Sequence, residues 1–356
     1  MTQDMRVLIV GAGPTGLTAA IELARRGIIP VLIEKRKTAS TLSRAVGLLP
    51  NTMDILTASG AAKAIRKDAI PIQAAIFHNK QKPISTIKLN EIKGVNKRLY
   101  ALPQDQTEAH LRDIFKALGG QIHYGAEFLS HAQSDDGVSV SILGQAFRFD
   151  YVIGADGVYS AVREALHIPF EGYDLPEKWS IADVEAKAWA NPRSLCAFLC
   201  KMGRIAVVIP VQKNRYRVVS NTEDALATLP IPMLVQTVHR GAAFTISIRQ
   251  ATTYQKGRVF LAGDAAHCHS PVGGRGMNLG IADAVDLAER ITTGTTDGYT
   301  AARHPIGKQT IRMSEKMRKA LTSKTFIQRF ILIRMLSLFA RLDVLRHRFV
   351  KHTLDL

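Results

Sequence analysis

The residues best able to do chemistry fall in three short stretches. The first is Gly11-Ala12-Gly13-Pro14-Thr15-Gly16, with Glu34 lying 23 residues past the first glycine and Lys35 beside it. Gly11 permits a tight turn, Gly13 lets a pyrophosphate approach the backbone, and Gly16 lets a helix pack closely on a strand. A helix starting here would bring free N–H groups and a positive dipole end to the phosphates. A carboxylate at Glu34 would accept hydrogen bonds from ribose hydroxyls. Such a set binds a dinucleotide without separating NAD from FAD. The second stretch, residues 153–163, carries Asp156-Gly157 between a strand pattern and a helix pattern. The third runs from Gly257 through Gly263-Asp264 and His267 to Pro271 and Arg275-Gly276-Met277-Asn278. There an aspartate at a strand end can hold a polyol hydroxyl, and glycine-rich N–H groups can hold an anionic or carbonyl edge. The plainer reading of all three is a glycine turn followed by two unrelated loops.

These stretches need elements to hold them. Residues 7–10 read as a buried strand, 17–26 as a helix ended by Gly27, and 31–33 as a second strand, which together make a βαβ unit. A short helix is expected from near Asn51 to before Gly60. Another opens at Asp105, with Glu108 three residues on as a capping box, and stops at Gly119-Gly120. Residues 121–153 break into short strands, and alternation between 180 and 249 predicts sheet. Residues 258–262 read as strand and 277–291 as helix. Helical patterns follow at 305–323, 326–340 and 342–352. There is no internal repeat or low-complexity segment.

Taken together, the three motifs resemble the group A FAD-dependent aromatic monooxygenases, the para-hydroxybenzoate hydroxylase-like flavoprotein family. The resemblance covers roughly residues 5–291 and the tail more loosely. It implies an α/β fold in which a GxGxxG Rossmann-type FAD-binding domain interleaves with a mainly β substrate domain, plus C-terminal helices. The expected division gives residues 1–75, 100–175 and 250–300 to FAD, 76–99 and 176–249 to the substrate sheet, and 301–356 to a basic helical extension. It also implies non-covalent FAD, NADPH or NADH as transient reductant, and O2. The substrate would be aromatic, polyketide or a quinone precursor, hydroxylated through a flavin C4a-hydroperoxide.

Residue by residue, the resemblance makes Glu34 the ribose ligand and Arg44 the residue reaching the middle of the cofactor. Gln104 then touches the pyrophosphate–ribityl region, Asp156 serves both FAD and NAD(P)H, and Asp264 holds the ribityl chain. Gly276-Met277-Asn278 cradles the pyrimidine edge by its backbone, and Pro271 passes near the isoalloxazine face. Arg275 stands where glutamine is frequent. A cation there would stabilise the anionic reduced flavin, against the alternative of a solvated arginine. Trp189, Phe198 and Tyr216 are expected to supply the substrate wall, and no catalytic base can be named. A flavin-dependent reductase or an NAD(P)H oxidase of the same fold, or a non-catalytic FAD-binding protein, remains the alternative. Trp179 and Trp189 lie outside any WxWxIP motif, which speaks against a halogenase.

The 356 residues, 46% hydrophobic and 22% charged, exclude a disordered or collagen-like chain. Cys196, Cys200 and Cys268 make no disulfide framework, and His267-Cys268-His269 lacks metal-ligand spacing, so no metal is expected. Residues 1–6 lack a signal-peptide pattern, and no run of about 18 apolar residues spans a membrane. The expected setting is cytoplasmic. The formal charge is +17, and the last 56 residues hold 13 Lys and Arg against 3 Asp and Glu. No aromatic-interleaved basic patch points to nucleic acid. Two readings of the tail stay open: a helical cap with its basic face in water, or a peripheral membrane surface on anionic lipid.

Overall fold

The computed structural model describes residues 5–89 and 98–341, with side chains as far as residue 338. At its centre, Val7–Val10 is buried along its whole length and pairs in parallel with Val31–Glu34 on one side and Tyr151–Gly154 on the other. Four consecutive aliphatic residues suit a strand covered on both faces. The sheet continues to Ile122–Tyr124 at one edge and to Val259–Leu261 and Gln255–Lys256 at the other. Every pair is parallel except the last, so the strands deliver their C-terminal ends, and the three motifs, to one rim.

The crossover helix, Pro14–Arg25, begins three residues before the expected start. Pro14 is the reason: its fixed φ suits the first helical turn, where its missing N–H costs nothing. The short helix expected from near Asn51 to before Gly60 is Pro50–Ile55, and a further helix, Ala61–Asp68, follows Gly60, which stands in the left-handed region at φ 79°. The capping box does not form. Helix Gln104–Ala117 starts one residue early on Pro103, whose carbonyl accepts from the N–H groups of Gln106 and Thr107, both at 3.0 Å. Glu108 instead accepts from Gln104 Nε2 at 2.9 Å.

A second, seven-stranded sheet has the order Leu234–Phe244, Trp179–Lys187, Arg215–Ser220, Ile205–Gln212, Ser194–Leu199, Ala74–Asn79, Lys82–Lys88. All its pairs are antiparallel except Ser194–Leu199 with Ala74–Asn79. All seven of its strands come from chain lying between strands of the first sheet, two from before Ile122–Tyr124 and five from after Tyr151–Gly154.

Helix Gly276–Thr293 lies against Pro14–Arg25. Helix Tyr299–Leu321 begins six residues before the expected position and runs through Pro305. Its first residue is anchored: the buried Tyr299 hydroxyl donates to the Leu261 carbonyl at 3.0 Å. Phe326–Arg341 follows, and the helix expected over 342–352 lies outside the described residues. Among those residues, no helix is long and apolar enough to cross a membrane.

Candidate cofactor and substrate site

Gly11 and Gly13 do different work at the rim. Gly11 holds φ 104°, and a Cβ there would stand 2.5 Å from the Ala155 carbonyl oxygen, so the turn requires glycine for the fold. A Cβ at Gly13 would meet nothing within 4 Å. No protein atom requires that glycine, and the space in front of it opens onto a helix start with no side-chain cap. An anion drawn to the free N–H groups of that first turn would fill it.

Glu34 ends its strand beside this space. Its Oε2 accepts from the Ala12 N–H at 3.0 Å, and Arg36 grips both oxygens at 3.0 Å. Burial alone would raise its pKa, but the hydrogen bonds from Arg36 and Ala12 outweigh it and hold the carboxyl below its usual range. It stays ionised and ready to accept. Lys35 is exposed.

The loop carrying Arg44 is braced from two sides. Gln104 accepts from the Ala45 N–H at 2.9 Å, and its own N–H donates to Ser43 Oγ at 3.0 Å. From the second sheet, Arg217 donates to the carbonyls of Arg44 (2.8 Å) and Ser43 (3.0 Å), and Arg240 adds a bond to Ser43 (3.0 Å). Arg217 is 2% exposed and held by Asp183 through two 2.7 Å bonds. This leaves the Arg44 side chain exposed on a fixed backbone. The brace was missed at the sequence level. The available signal was a pair of opposite charges, Asp183 and Arg217, in the middle of two strands.

In the second stretch, Asp156 Oδ2 accepts from the Val162 N–H at 3.2 Å, while buried Oδ1 has no partner. Desolvation raises its pKa against the bonds at the helix start. Arg163 ties this stretch to the third by donating to the Ala265 carbonyl at 3.0 Å, with its guanidinium 3.9 Å above the Phe170 ring. In the third stretch, buried Asp283 accepts from the Gly263 N–H (3.1 Å) and from Arg303 (2.7 Å), and it pairs with His267. His267 therefore belongs to a buried hydrogen-bonded network, centred on Asp283, that fixes the turn before Asp264.

Asp264 is exposed to solvent yet closely surrounded by protein, which sets it in a recess, here called the cleft. Its concave surroundings push the pKa up against the pull of His267 and Arg44. A side chain at Gly276 would meet His269 Nε2 at 3.9 Å and Asp264 Oδ1 at 4.0 Å, so these three residues border one space. Nε2 of His269 has no partner, and burial, helped by nearby His267 and Arg275, takes its pKa down to about 4.

Arg275 is 2% exposed, so the reading of a solvated side chain is corrected. Packing within the loop ahead of helix Gly276–Thr293 removes it from water, and desolvation lowers its pKa. Asn278 brackets two loops: its Oδ1 accepts from the Leu49 N–H, and its Nδ2 donates to the Gly47 and Gly274 carbonyls. That leaves the backbone at Gly276 and Met277 to face the cleft. Pro271 is exposed. An open Gly13, an ionised Glu34 and an accessible Asp264 on one rim fit an extended dinucleotide. Among the described residues, no group of three or more His, Cys, Asp or Glu side chains is placed to hold a metal ion.

The expected substrate wall needs correction. Phe198 and Tyr216 pack in a closed core with Cys196, Val208 and Val218, and Trp189 packs against them. Side chains alternate across a strand, and Arg217, next to Tyr216, points the opposite way, to the Arg44 loop. The face toward the cleft therefore carries the row Ile181–Val219–Val207–Ala197–Phe77, aligned across five strands by register. Four of these five are partly exposed. Val219 and Phe77 join Val272, two residues after Ser270, in one apolar cluster. The adjoining row adds Asp183, Arg217 and Arg240 to this face: Asp183 pairs with Arg217, and Arg240 donates to the Ser43 carbonyl.

Comparison with known proteins gives this geometry a context. The profile of the FAD binding domain family matches residues 4–228 and 222–314. Rifampicin monooxygenase of Streptomyces venezuelae is 30% identical over 332 residues, covering 86% of this chain and 69% of that protein. Pentachlorophenol 4-monooxygenase of Sphingobium chlorophenolicum is 29% identical over 350 residues, covering 89% and 65%. The chain thus spans about two thirds of the length of both relatives. The crystal structure of p-nitrophenol 4-monooxygenase from Pseudomonas putida DLL-E4 superposes with a TM-score of 0.90 at 22% identity, covering 99% of each chain.

Proposed function

We propose, from the premise that this chain belongs to the FAD binding domain family and to its FAD-dependent aromatic monooxygenases, that it hydroxylates an uncharged, lipophilic aromatic compound. NADPH or NADH would serve as reductant and O2 as oxygen source. The observation that carries this reading is the uninterrupted apolar row Ile181–Val219–Val207–Ala197–Phe77 on the cleft side of the second sheet. An apolar row of this kind favours a neutral ring, because an anion lying against it would lose its hydration without compensation.

In this reading, residues 1–75, 100–175 and 250–300 bind FAD non-covalently, and 76–99 and 176–249 hold the substrate. Glu34 takes the ribose, the helix start at Gly13 takes the phosphates, and Asp264 takes the ribityl chain. Arg44 reaches the pyrophosphate from a loop fixed by Gln104 and Arg217. Bound FAD, once reduced, supplies the activation of O2. The protein orients the ring, excludes water by the apolar wall, and keeps buried Arg275 where a positive charge favours the reduced cofactor. The setting is cytoplasmic, with membrane contact confined to the C-terminal helices.

The test is NAD(P)H oxidation under labelled O2 with neutral phenols and, in parallel, phenols bearing a carboxylate. One labelled oxygen in the product, with the neutral series turning over at least tenfold more efficiently, is the expected result. Stoichiometric peroxide with no label in any organic product would identify an oxidase instead. Reduction of a substrate double bond under argon would identify a reductase.

A further inference from the structure

The C-terminal helix Phe326–Arg341 is apolar nearly all round but buried on one side only. Leu332, Ile333 and Leu336 pack inward with Val272 and Ile84, and Ser337 donates to the Ile84 carbonyl. Arg329 ties the helix down by donating to the Cys200 and Leu199 carbonyls. On the opposite side Phe326 (80% exposed), Ile327, Phe330 (50%), Ile331, Met335 and Leu338 stand in solvent. A helix hydrophobic on both faces is ordinarily buried, and a continuous apolar patch of this kind marks an interaction surface.

The segment that carries the patch holds charge of one sign. From residue 316 to 342 the sequence has seven Lys and Arg and no Asp or Glu, of which Arg318 is buried and paired with Glu177 and Glu315. Arg334 lies within the stripe, its guanidinium 5.2 Å from the Phe330 ring centre, so its alkyl stem adds to the apolar area. At the start of the helix, the neighbouring turn offers Met202, 75% exposed, beside Lys201. Gly203 of that turn lies within 3.1 Å, by an added Cβ, of the Lys324 stem. Lys80, Lys82 and Lys201 line one surface cleft with Cys200, whose carbonyl Arg329 holds.

We propose that this face is a docking surface for an anionic lipid bilayer. The six apolar side chains and Met202 would enter the acyl boundary, while Lys80, Lys82, Lys201, Lys324 and Arg334 meet the headgroups. A second copy of this chain would set these cations against their own kind. A bilayer with negative headgroups complements both halves of the surface. The proposal makes specific the peripheral setting named above and depends on no step of the oxygenation. It places the bilayer one helix away from Val272 in the candidate cleft, a short route for a lipophilic substrate.

The test is co-sedimentation of the full-length, flavin-loaded protein with phosphatidylglycerol vesicles and, separately, with phosphatidylcholine vesicles. At low salt, at least tenfold more protein should partition to the anionic vesicles, and about 0.5 M NaCl should reverse this as screening shortens the Debye length. The triple variant Phe326→Ser/Ile327→Ser/Phe330→Ser should lose at least tenfold in binding while keeping its flavin absorbance and Tm. Lys80→Glu/Lys82→Glu, which leaves the helix untouched, should weaken binding by the charge route alone.

Absence of vesicle binding by the wild type overturns the proposal. Equal binding to both lipids overturns the electrostatic half of it. A wild-type dimer that the triple variant converts to monomer, without vesicle binding by either, makes the face a contact between copies. Binding gained only when residues 342–356 are deleted makes that segment the natural cover.

Discussion

The cleft rim of the parallel sheet and the cleft face of the seven-stranded sheet meet the same candidate ligand space by opposite means. The rim is built of glycine and charge. At Gly11 the backbone conformation itself demands a missing side chain, and Glu34, Asp156 and Asp264 bring carboxylates to strand ends. The facing sheet is built of ordinary aliphatic residues whose role depends only on which way they point. Tyr216 is core and Arg217, one residue on, braces the Arg44 loop. Recognition of a charged cofactor leaves marks in residue type, whereas recognition of an apolar ring is written in register.

Removing the brace between the two regions should have the largest effect. Arg217→Met strands Asp183 as an unpaired, nearly buried charge, at a cost of about 3–5 kcal/mol. It should also lower FAD affinity about tenfold by freeing the Arg44 loop, read by denaturation and fluorescence titration. A wild-type Tm would dissolve the link between the regions. Phe198→Ala then separates the two faces of one strand. It should cost about 3 kcal/mol as a core cavity yet leave the substrate KM within about twofold, whereas Val207→Ala should do the reverse. A large KM change in Phe198→Ala would put the wall back on the other face.

On the rim, Gly13→Val should weaken FAD binding about a hundredfold, roughly 2.7 kcal/mol, with apoprotein stability unchanged because nothing in the protein occupies that space. The pH response is smaller. His269 in the folded protein has its pKa down at about 4, while an unfolded imidazole titrates near pH 6.5, about its ordinary value. Between these the unfolded chain binds a proton that the folded chain refuses. Stability is therefore full above about 6.5 and falls with decreasing pH, by about 1.4 kcal/mol per unit from this group. His269→Gln should flatten that slope in acid denaturation curves. Last, Arg275→Gln should lower the flavin reduction potential by about 30 mV, close to 1.4 kcal/mol for two electrons, and equal potentials would remove Arg275 from the cofactor's field.

The βαβ start, the strand before Asp264 and the helix after Gly276 were legible because their patterns are local. The capping box failed because Pro103 set the helix start one residue earlier than Asp105 alone would suggest. The substrate wall failed for a different reason. Aromatic residues attract attention, but sheet face is fixed by parity along each strand, and parity is anchored here by Arg217 reaching a loop 173 residues away. Asn278 presents a related case. Its side chain serves Leu49, Gly47 and Gly274 rather than a ligand, and only the folded chain brings those loops together.

The parallel pairing of Ala74–Asn79 with Ser194–Leu199 joins residues 120 positions apart. Both strands sit inside the second sheet, but the chain between them supplies strands Ile122–Tyr124 and Tyr151–Gly154 to the first. Closing such a long loop must precede any reward from the contacts it makes. Neither sheet can therefore be assembled in full from one uninterrupted piece of chain, and synthesis through residue 199 is needed before this pair can meet. The two regions are separable by their chemistry, but the route by which they form is shared.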